Sequence, residues 1–183
     1  RMPSSAPTAT GSRLPLRRLR AFPLSLRGRE TPPALRTTEF FQHDSTPFKL
    51  VLMPRYTFKS HIGTIGQALW QLAKNPDLRV LICSDTNEKA EGFLQGIKNH
   101  LEGKIVGSLF RAIYGDWTVD AKRGTWNQQA IIVRPRRKAQ IDPSVDTAGI
   151  ETSKTGKHYD LIIFDDLVSE KNITTPELML KVK

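Results

Sequence analysis

The stretch "YDLIIFDDL", residues 159–167, decides the fold. Four consecutive apolar residues, Leu161 to Phe164, lead directly into two carboxylates, Asp165 and Asp166. A short apolar run of this kind is typical of a strand that is buried on both faces of a parallel sheet. Ligands of open α/β sheets bind at the carboxyl ends of such strands. The stretch therefore predicts an α/β domain with two acids at the edge of the sheet where ligands bind.

A second apolar run, "FKLVLMP" (48–54), ends near another polar pair, Lys59-Ser60. We expect this run to form a buried parallel strand, followed by a turn. In the phosphate-binding loop G-x-x-x-x-G-K-[ST], backbone N–H groups wrap the phosphates, while the Lys and Ser/Thr hold phosphate and Mg²⁺. We align Pro54 with the first glycine and Phe58 with the second, so this loop lacks both.

Each motif alone has a plainer interpretation. Residues 159–167 could equally be a strand followed by a loop in which an aspartate caps a helix. The loop before Lys59 could be a simple turn with a solvated lysine. Together they match a nucleotide site, in which an acid at the end of a second strand helps to hold Mg²⁺. We predict that Asp165 helps to hold the metal ion and that Asp166 orients or deprotonates the attacking water.

The sequence between the two motifs alternates between helical and strand patterns. Apolar residues at three- and four-residue spacing predict a helix from Ile62 to Lys74, which Pro76 follows. Thr86 is the predicted N-cap of a second helix, which Gly103 ends. Further predicted elements are strands at 78–84, 129–136 and 144–150 and a helix opening at Thr175-Pro176-Glu177. This order predicts an α/β domain with a mainly parallel sheet flanked by helices.

The positive charge is concentrated at the start of the chain. Residues 1–36 contain eight arginines and one acid, Glu30, and therefore carry +7 of the total net charge of +10. This Pro/Ser/Arg-rich extension lacks sustained periodicity, and we expect it to be disordered. Three interpretations stay open: a basic arm on DNA phosphates, an organelle transit peptide, or an unstructured extension foreign to the native frame.

Other residue classes give weaker signals. The single cysteine, Cys83, cannot form an internal disulfide, which is typical of a reducing compartment. No apolar run is long enough to span a membrane, and the four histidines lack metal-ligand spacing. A basic cluster around Pro135 either contacts phosphates of DNA or of a neighbouring subunit's nucleotide, or is a solvated strand end; its members are Arg134, Arg136, Arg137 and Lys138.

From about Phe48 to Lys183 the chain resembles the ATPase domain of phage terminase large subunits, the motors that package viral DNA. Three stretches carry the resemblance: "LMPRYTFKSHIGTIGQALW", "RVLICSDTNEKAEGFLQGIKNHL" and "DPSVDTAGIETSKTGKHYDLIIFDDLVSEKNITTPELM". The last is the most specific, because these terminases have a similar T-G-x-x-x-D-L-I-I-x-D-D-L-V run followed by a T-P-E helix. The resemblance implies a P-loop NTPase fold of the RecA-like type over residues 37–183. It also implies truncation before the coupling motif and the nuclease domain.

The resemblance also implies roles for the residues of the loop. Arg55 is the early basic residue of terminase loops and is expected to reach the γ-phosphate. Lys59 is expected to bind the β- and γ-phosphates of ATP, Ser60 and Asp165 the Mg²⁺, and Asp166 to stand where many relatives have a catalytic Glu. The whole loop is expected to contact the nucleotide: Pro54, Arg55, Tyr56, Thr57, Phe58, Lys59 and Ser60. Gln42 is a candidate for contact with adenine, or simply a polar loop residue.

The expected partners follow from the same resemblance. They are double-stranded DNA, a portal protein, a small terminase subunit and further copies of the chain in a ring, in the cytoplasm of a bacterial host. Two alternatives remain. One is a helicase-like P-loop ATPase, and the other is a non-catalytic remnant whose basic extension binds nucleic acid without ATP.

Overall fold

The computed structural model describes residues 40–41, 47–54, 56–120, 122, 124–152 and 154–168. The extension 1–36, Gln42, Arg55 and the helix predicted from Thr175 lie outside these ranges. In chain order the elements are a π-helix His61–Gly66, α1 Gln67–Lys74, β1 Val80–Ser84, α2 Asn87–Leu101, α3 Phe110–Tyr114, β2 Ala130–Ile131, β3 Val145–Gly149 and β4 Leu161–Phe164.

The four strands form one mixed sheet in the order β2-β3-β1-β4. Strand β1 is parallel to β3, with Val80 opposite Val145, and parallel to β4, with Val80 opposite Leu161. Strand β2 is antiparallel to β3. The predicted α/β class is confirmed, and β1, β3 and β4 lie within the stretches where strands were predicted.

Helix α2 shows how the local sequence sets the bounds of an element. The Thr86 side chain accepts a hydrogen bond from the backbone N–H of Lys89, which caps the first turn as predicted. Beyond the last turn, Gly103 takes a positive φ of 71°, a conformation that glycine adopts without steric cost. Leu94, Ile97 and Leu101 line the buried face of the helix, at the spacing that brings side chains to one side.

The core lies between the sheet and these helices. Val80 and Ile82 of β1 and Val145 of β3 point into it, because alternate residues of a strand face the same side. The remaining buried members come from the helices and from the segments around β2: Ile65, Ala68, Leu69, Leu72, Leu94, Ile97, Leu101, Trp117, Ile131 and Val133.

The opposite face of β3 carries a buried charge. Asp146 is only 1% exposed and forms ion pairs with Lys154 at 3.1 Å and Lys157 at 2.7 Å. The hydroxyl of Tyr159 donates a further bond of 2.7 Å to the same carboxylate. Burial alone would raise the pKa of Asp146, but the bonds from Lys157, Tyr159 and Lys154 lower it overall. Because a buried charge needs such partners, Asp146 fixes the connection that leads from β3 to β4.

Two strand predictions are wrong. Residues 48–54 form no regular secondary structure, and Phe48 and Leu52 are 92% and 83% exposed. Within the described part of the chain this segment pairs with no strand, and an apolar run is buried only if a neighbouring strand and layer cover it. The strand predicted at 129–136 shrinks to Ala130–Ile131, because the chain turns at Arg134-Pro135 and proline cannot donate to a ladder.

Gly149 and Gly92 give a matched test of packing. A Cβ on Gly149 would lie 2.7 Å from the backbone nitrogen of Asn87, whereas a Cβ on Gly92 would meet nothing within 4 Å. We expect Gly149→Ala to lower the free energy of unfolding by roughly 1–3 kcal/mol, since the end of β3 must move away from α2. Gly92→Ala should raise it by about 0.5–1 kcal/mol, because alanine is the better residue inside a helix. Denaturant unfolding measures both, and equal effects of the two changes would contradict the close approach.

Candidate functional site

The structure brings together Lys59 and the two adjacent aspartates. The Lys59 ammonium lies 2.5 Å from Oδ1 of Asp166 and 3.3 Å from Oδ1 of Asp165. Lys59 and Asp166 are 107 residues apart in sequence, so this contact is a property of the fold. We call Lys59, Asp165 and Asp166 the Lys–Asp–Asp cluster.

Asp165 is held by three hydrogen bonds with two elements, β1 and the π-helix. Its backbone N–H donates to the carbonyl of Cys83 at 2.9 Å, which extends the β1–β4 ladder by one residue. Its backbone carbonyl accepts from the Ser84 hydroxyl, and its Oδ2 accepts from the Thr64 hydroxyl, both at 2.9 Å. Only 4% of Asp165 is exposed. The carboxylate therefore has a fixed position at the carboxyl end of β4.

Asp166 differs from its neighbour in both exposure and backbone conformation. Its side chain is 68% exposed, and its φ of 48° lies in the left-handed region, which aspartate tolerates better than most residues. This conformation ends the strand and turns the second carboxylate toward Lys59. Asp165 is thus a buried, fixed acid, and Asp166 is an accessible one that is free to leave the lysine.

The cluster keeps Lys59 protonated. The hydrogen bond to Asp166 raises the pKa of Lys59 most, partial burial opposes the shift, and the charge of Asp165 adds to the increase. A raised folded-state pKa means that the pair stabilises the fold below the usual lysine value of 10.5, and that this contribution is lost as pH rises through the folded-state pKa. Across the neutral range Lys59 therefore presents a full positive charge.

The loop before Lys59 keeps glycine-like geometry without glycines. Phe58, aligned with the second glycine, has a φ of 58°, and Tyr56 has a φ of 66°. Both values lie in the left-handed region that glycine adopts freely and that costs other residues roughly 1–2 kcal/mol. The Thr57 hydroxyl donates to the carbonyl of Pro54 at 2.6 Å and closes the turn. Counting six residues back from Lys59 places the first glycine position at Met53, so the alignment of Pro54 with it is off by one residue.

The helix after the loop is π-helical over His61–Gly66, which the sequence did not predict. The backbone is crowded at Gly66, where a Cβ would come within 3.1 Å of the His61 carbonyl. π-helical turns often occur at functional sites. Ser60 immediately precedes this helix, and its hydroxyl makes no capping bond. Thr64, which binds Asp165 from within the π-helix, is a site residue that sequence analysis missed, because a threonine inside a helical pattern gives no signal of its own.

A third acid, Asp85, lies beside the cluster. The Ser84 hydroxyl that donates to the Asp165 carbonyl also lies 3.3 Å from Oδ1 of Asp85. Asp85 forms an ion pair with Lys89 at 2.7 Å, and the hydrogen bond from Lys89 lowers the pKa of Asp85. Asp85 therefore both follows β1 at the same edge of the sheet and anchors the first turn of α2.

The donors of this site fit a nucleotide with its metal ion. A lysine ammonium is a common phosphate ligand, and a hydroxyl and a carboxylate are oxygen ligands of the kind that Mg²⁺ prefers. Among the described residues no group of three or more His, Cys, Asp or Glu is placed to hold a metal by itself. Mg²⁺ in nucleotide sites usually needs only one or two protein ligands, because phosphates and water supply the others.

The other predicted site residues are not part of the cluster. Pro54 and Tyr56 are exposed, and the structure does not describe Gln42 or Arg55. The basic cluster around Pro135 lines a separate cavity between residues 119–120 and 132–140.

Comparisons with known proteins leave the family open. No protein-family model matches the chain, and no curated protein matches it either. Within the described residues, no helix is long and apolar enough to cross a membrane.

Phe58 tests whether the loop carries strain. Phe58→Gly and Phe58→Ala both remove the ring, which is 71% exposed, but only glycine relieves the positive φ. We expect Phe58→Gly to unfold with a free energy about 1 kcal/mol higher than Phe58→Ala. Urea unfolding of the two variants measures the difference. If alanine were as stable as glycine here, the left-handed conformation of residue 58 would be refuted.

Proposed function

We propose that the chain is an ATP-binding and ATP-hydrolysing P-loop domain. The observation that supports this most is the Lys–Asp–Asp cluster, in which the loop lysine lies against the two acids that follow a parallel strand. A solvated lysine or a capping aspartate, the plainer interpretations of the two motifs, would not require this contact. The left-handed φ of Phe58 at a glycine position adds independent support from the backbone.

Each residue of the cluster has a distinct role under this proposal. Lys59 leaves Asp166 and binds the β- and γ-phosphates. Ser60 and Asp165 would hold Mg²⁺, which neutralises phosphate charge when it is bound. Asp166 is accessible and orients the attacking water or accepts its proton, while Thr64 keeps the Asp165 carboxylate in place. Catalysis of this kind depends mainly on positioning and charge neutralisation.

We further propose that this ATPase belongs to a terminase large subunit, the motor of viral DNA packaging. The basis is the similarity of the three quoted stretches, above all the run from Thr155 to Val168. Arg55 and Gln42 would then complete the nucleotide contacts. The partners would be double-stranded DNA, a portal protein, a small terminase subunit and further copies of the chain, in the cytoplasm of a bacterial host.

Calorimetric titration with Mg²⁺-ATP tests the nucleotide site directly. We expect the chain to bind ATP with a dissociation constant in the micromolar to millimolar range. Lys59→Ala should weaken binding at least tenfold, because a charge-assisted phosphate contact contributes about 1.5–3 kcal/mol.

Lys104→Ala is the matched control for this titration. Lys104 also forms an ion pair, with Glu102 at 2.5 Å. It follows the last residue of α2, whereas the first residue of that helix lies near the carboxyl end of β1 and the cluster. Lys104 is therefore a full helix length away from the candidate site. This variant should leave ATP affinity unchanged. A folded chain that binds no ATP, or equal losses in the two variants, would refute the nucleotide site.

Asp166→Asn separates binding from turnover. Asp166 competes with phosphate for Lys59, so its neutralisation should leave ATP affinity unchanged or raise it a few-fold. It should lower the rate of hydrolysis about 100-fold or more, because the group that acts on water is lost. Calorimetry and a single-turnover phosphate-release assay measure the two effects. A variant that hydrolyses ATP at the unmodified rate would exclude Asp166 as the residue that orients or deprotonates the attacking water.

A further inference from the structure

Two aromatic side chains bracket the residues proposed to bind phosphate and Mg²⁺. Phe58 precedes Lys59, and His61 follows Ser60. Both side chains are exposed, that of Phe58 by 71%. Neither belongs to the hydrophobic core of the described residues. Their position beside Lys59 therefore calls for a role other than core packing.

The two rings contact each other. Their centroids lie 6.2 Å apart and their planes cross at 86°, an edge-to-face arrangement that aromatic pairs favour. The Phe58 carbonyl also accepts a hydrogen bond of 3.0 Å from the backbone N–H of Ile62, which joins Phe58 to the helical turn that follows it. Residues three apart in such a turn are neighbours on its surface. Phe58 and His61, which we call the Phe–His pair, therefore lie on one side of this turn.

Lys59 belongs to the same turn as the pair. Successive residues of a helix are rotated by about 100°, so Lys59 leaves the turn on the side next to Phe58. Its ammonium lies against Asp165 and Asp166. One helical turn rises only about 5.4 Å, which is less than the length of a nucleoside triphosphate. A nucleotide whose phosphates bind Lys59 is therefore long enough for its base to reach the pair.

The stability of the fold does not explain the ring of Phe58. The residue has a φ of 58°, a conformation in which glycine is less strained than any residue with a Cβ. Its ring is largely exposed and so gains little from the hydrophobic effect. Exposed aromatic rings beside phosphate ligands are typical of sites that stack on nucleobases.

We propose that Phe58 stacks on the base of the nucleotide whose phosphates Lys59 binds, and that the edge-to-face contact with His61 holds the Phe58 ring in place. This inference rests on the proposed nucleotide site. Stacking uses the face of a base rather than its hydrogen-bonding edge, and purines have the larger face. The substrates are therefore purine nucleoside triphosphates, with ATP and GTP bound alike and CTP bound more weakly.

The first test compares ATP with inorganic tripolyphosphate, which carries the phosphates without a base. Both are titrated by calorimetry into the full chain in the presence of Mg²⁺. Phe58→Leu keeps a bulky apolar side chain and removes the ring, so it should weaken ATP binding about fivefold or more and tripolyphosphate binding less than about twofold. Phe58→Tyr keeps the ring and should retain the ATP affinity. Equal losses for the two ligands, or an unchanged ATP affinity in Phe58→Leu, would overturn the stacking.

Two further variants complete this test. Phe48→Leu makes the same change at a ring that is 92% exposed but lies before the loop, and it should leave both affinities unchanged. A loss of ATP affinity equal to that of Phe58→Leu would remove the special role of Phe58. Lys59→Ala should weaken both ligands. If it weakens neither, the nucleotide site itself is wrong and the stacking with it; if it weakens both while Phe58→Leu weakens neither, only the stacking is wrong.

A measurement on the unmodified chain needs no substitution. We expect nuclear Overhauser contacts between the adenine protons of bound Mg²⁺-ATP and the ring protons of Phe58. GTP should bind with an affinity within about threefold of that of ATP, because stacking tolerates either purine. Bound ATP without contacts to the Phe58 ring would place the base elsewhere and overturn the proposal.

Discussion

The parallel pairing of β1 with β4 is the constraint on which the candidate site depends. The pairing continues past the last strand residue, through the bond from the Asp165 N–H to the Cys83 carbonyl. The register of this pairing therefore fixes where Asp165 and Asp166 lie at the carboxyl edge of the sheet. Ser84 then joins the ends of both strands through its hydroxyl. Lys59, which is far from β4 in sequence, contacts two aspartates whose positions depend on the strand pairing.

Strong local patterns could be predicted from sequence, while features that need a distant partner could not. The cap at Thr86, the helix it begins and the apolar runs of β1 and β4 depend on nearby residues, and each was predicted correctly. The proximity of Lys59 to Asp165 and Asp166 was expected from the match of the two motifs to a nucleotide site, but the strand that was predicted to bring Lys59 to the edge of the sheet does not form.

The features that were missed have physical reasons. Residues 48–53 have the composition of a buried strand, but composition does not provide the neighbouring strand that burial requires. The two lysines and the tyrosine around Asp146 come from a connection with no periodicity, so a charge buried in a strand could not be foreseen. Met53, rather than Pro54, lies six residues before Lys59 and therefore occupies the first glycine position of the loop.

The cluster also has a consequence for which form of a nucleotide it would admit. The Lys–Asp–Asp cluster, with one lysine and two aspartates, carries a formal net charge of −1, which opposes the approach of a bare polyphosphate. A nucleotide that already carries a divalent cation approaches this surface with less negative charge and brings the cation that Asp165 would hold. Under the proposed function, the negative charge of Asp166 thus favours the binding of metal-complexed nucleotides over free ones.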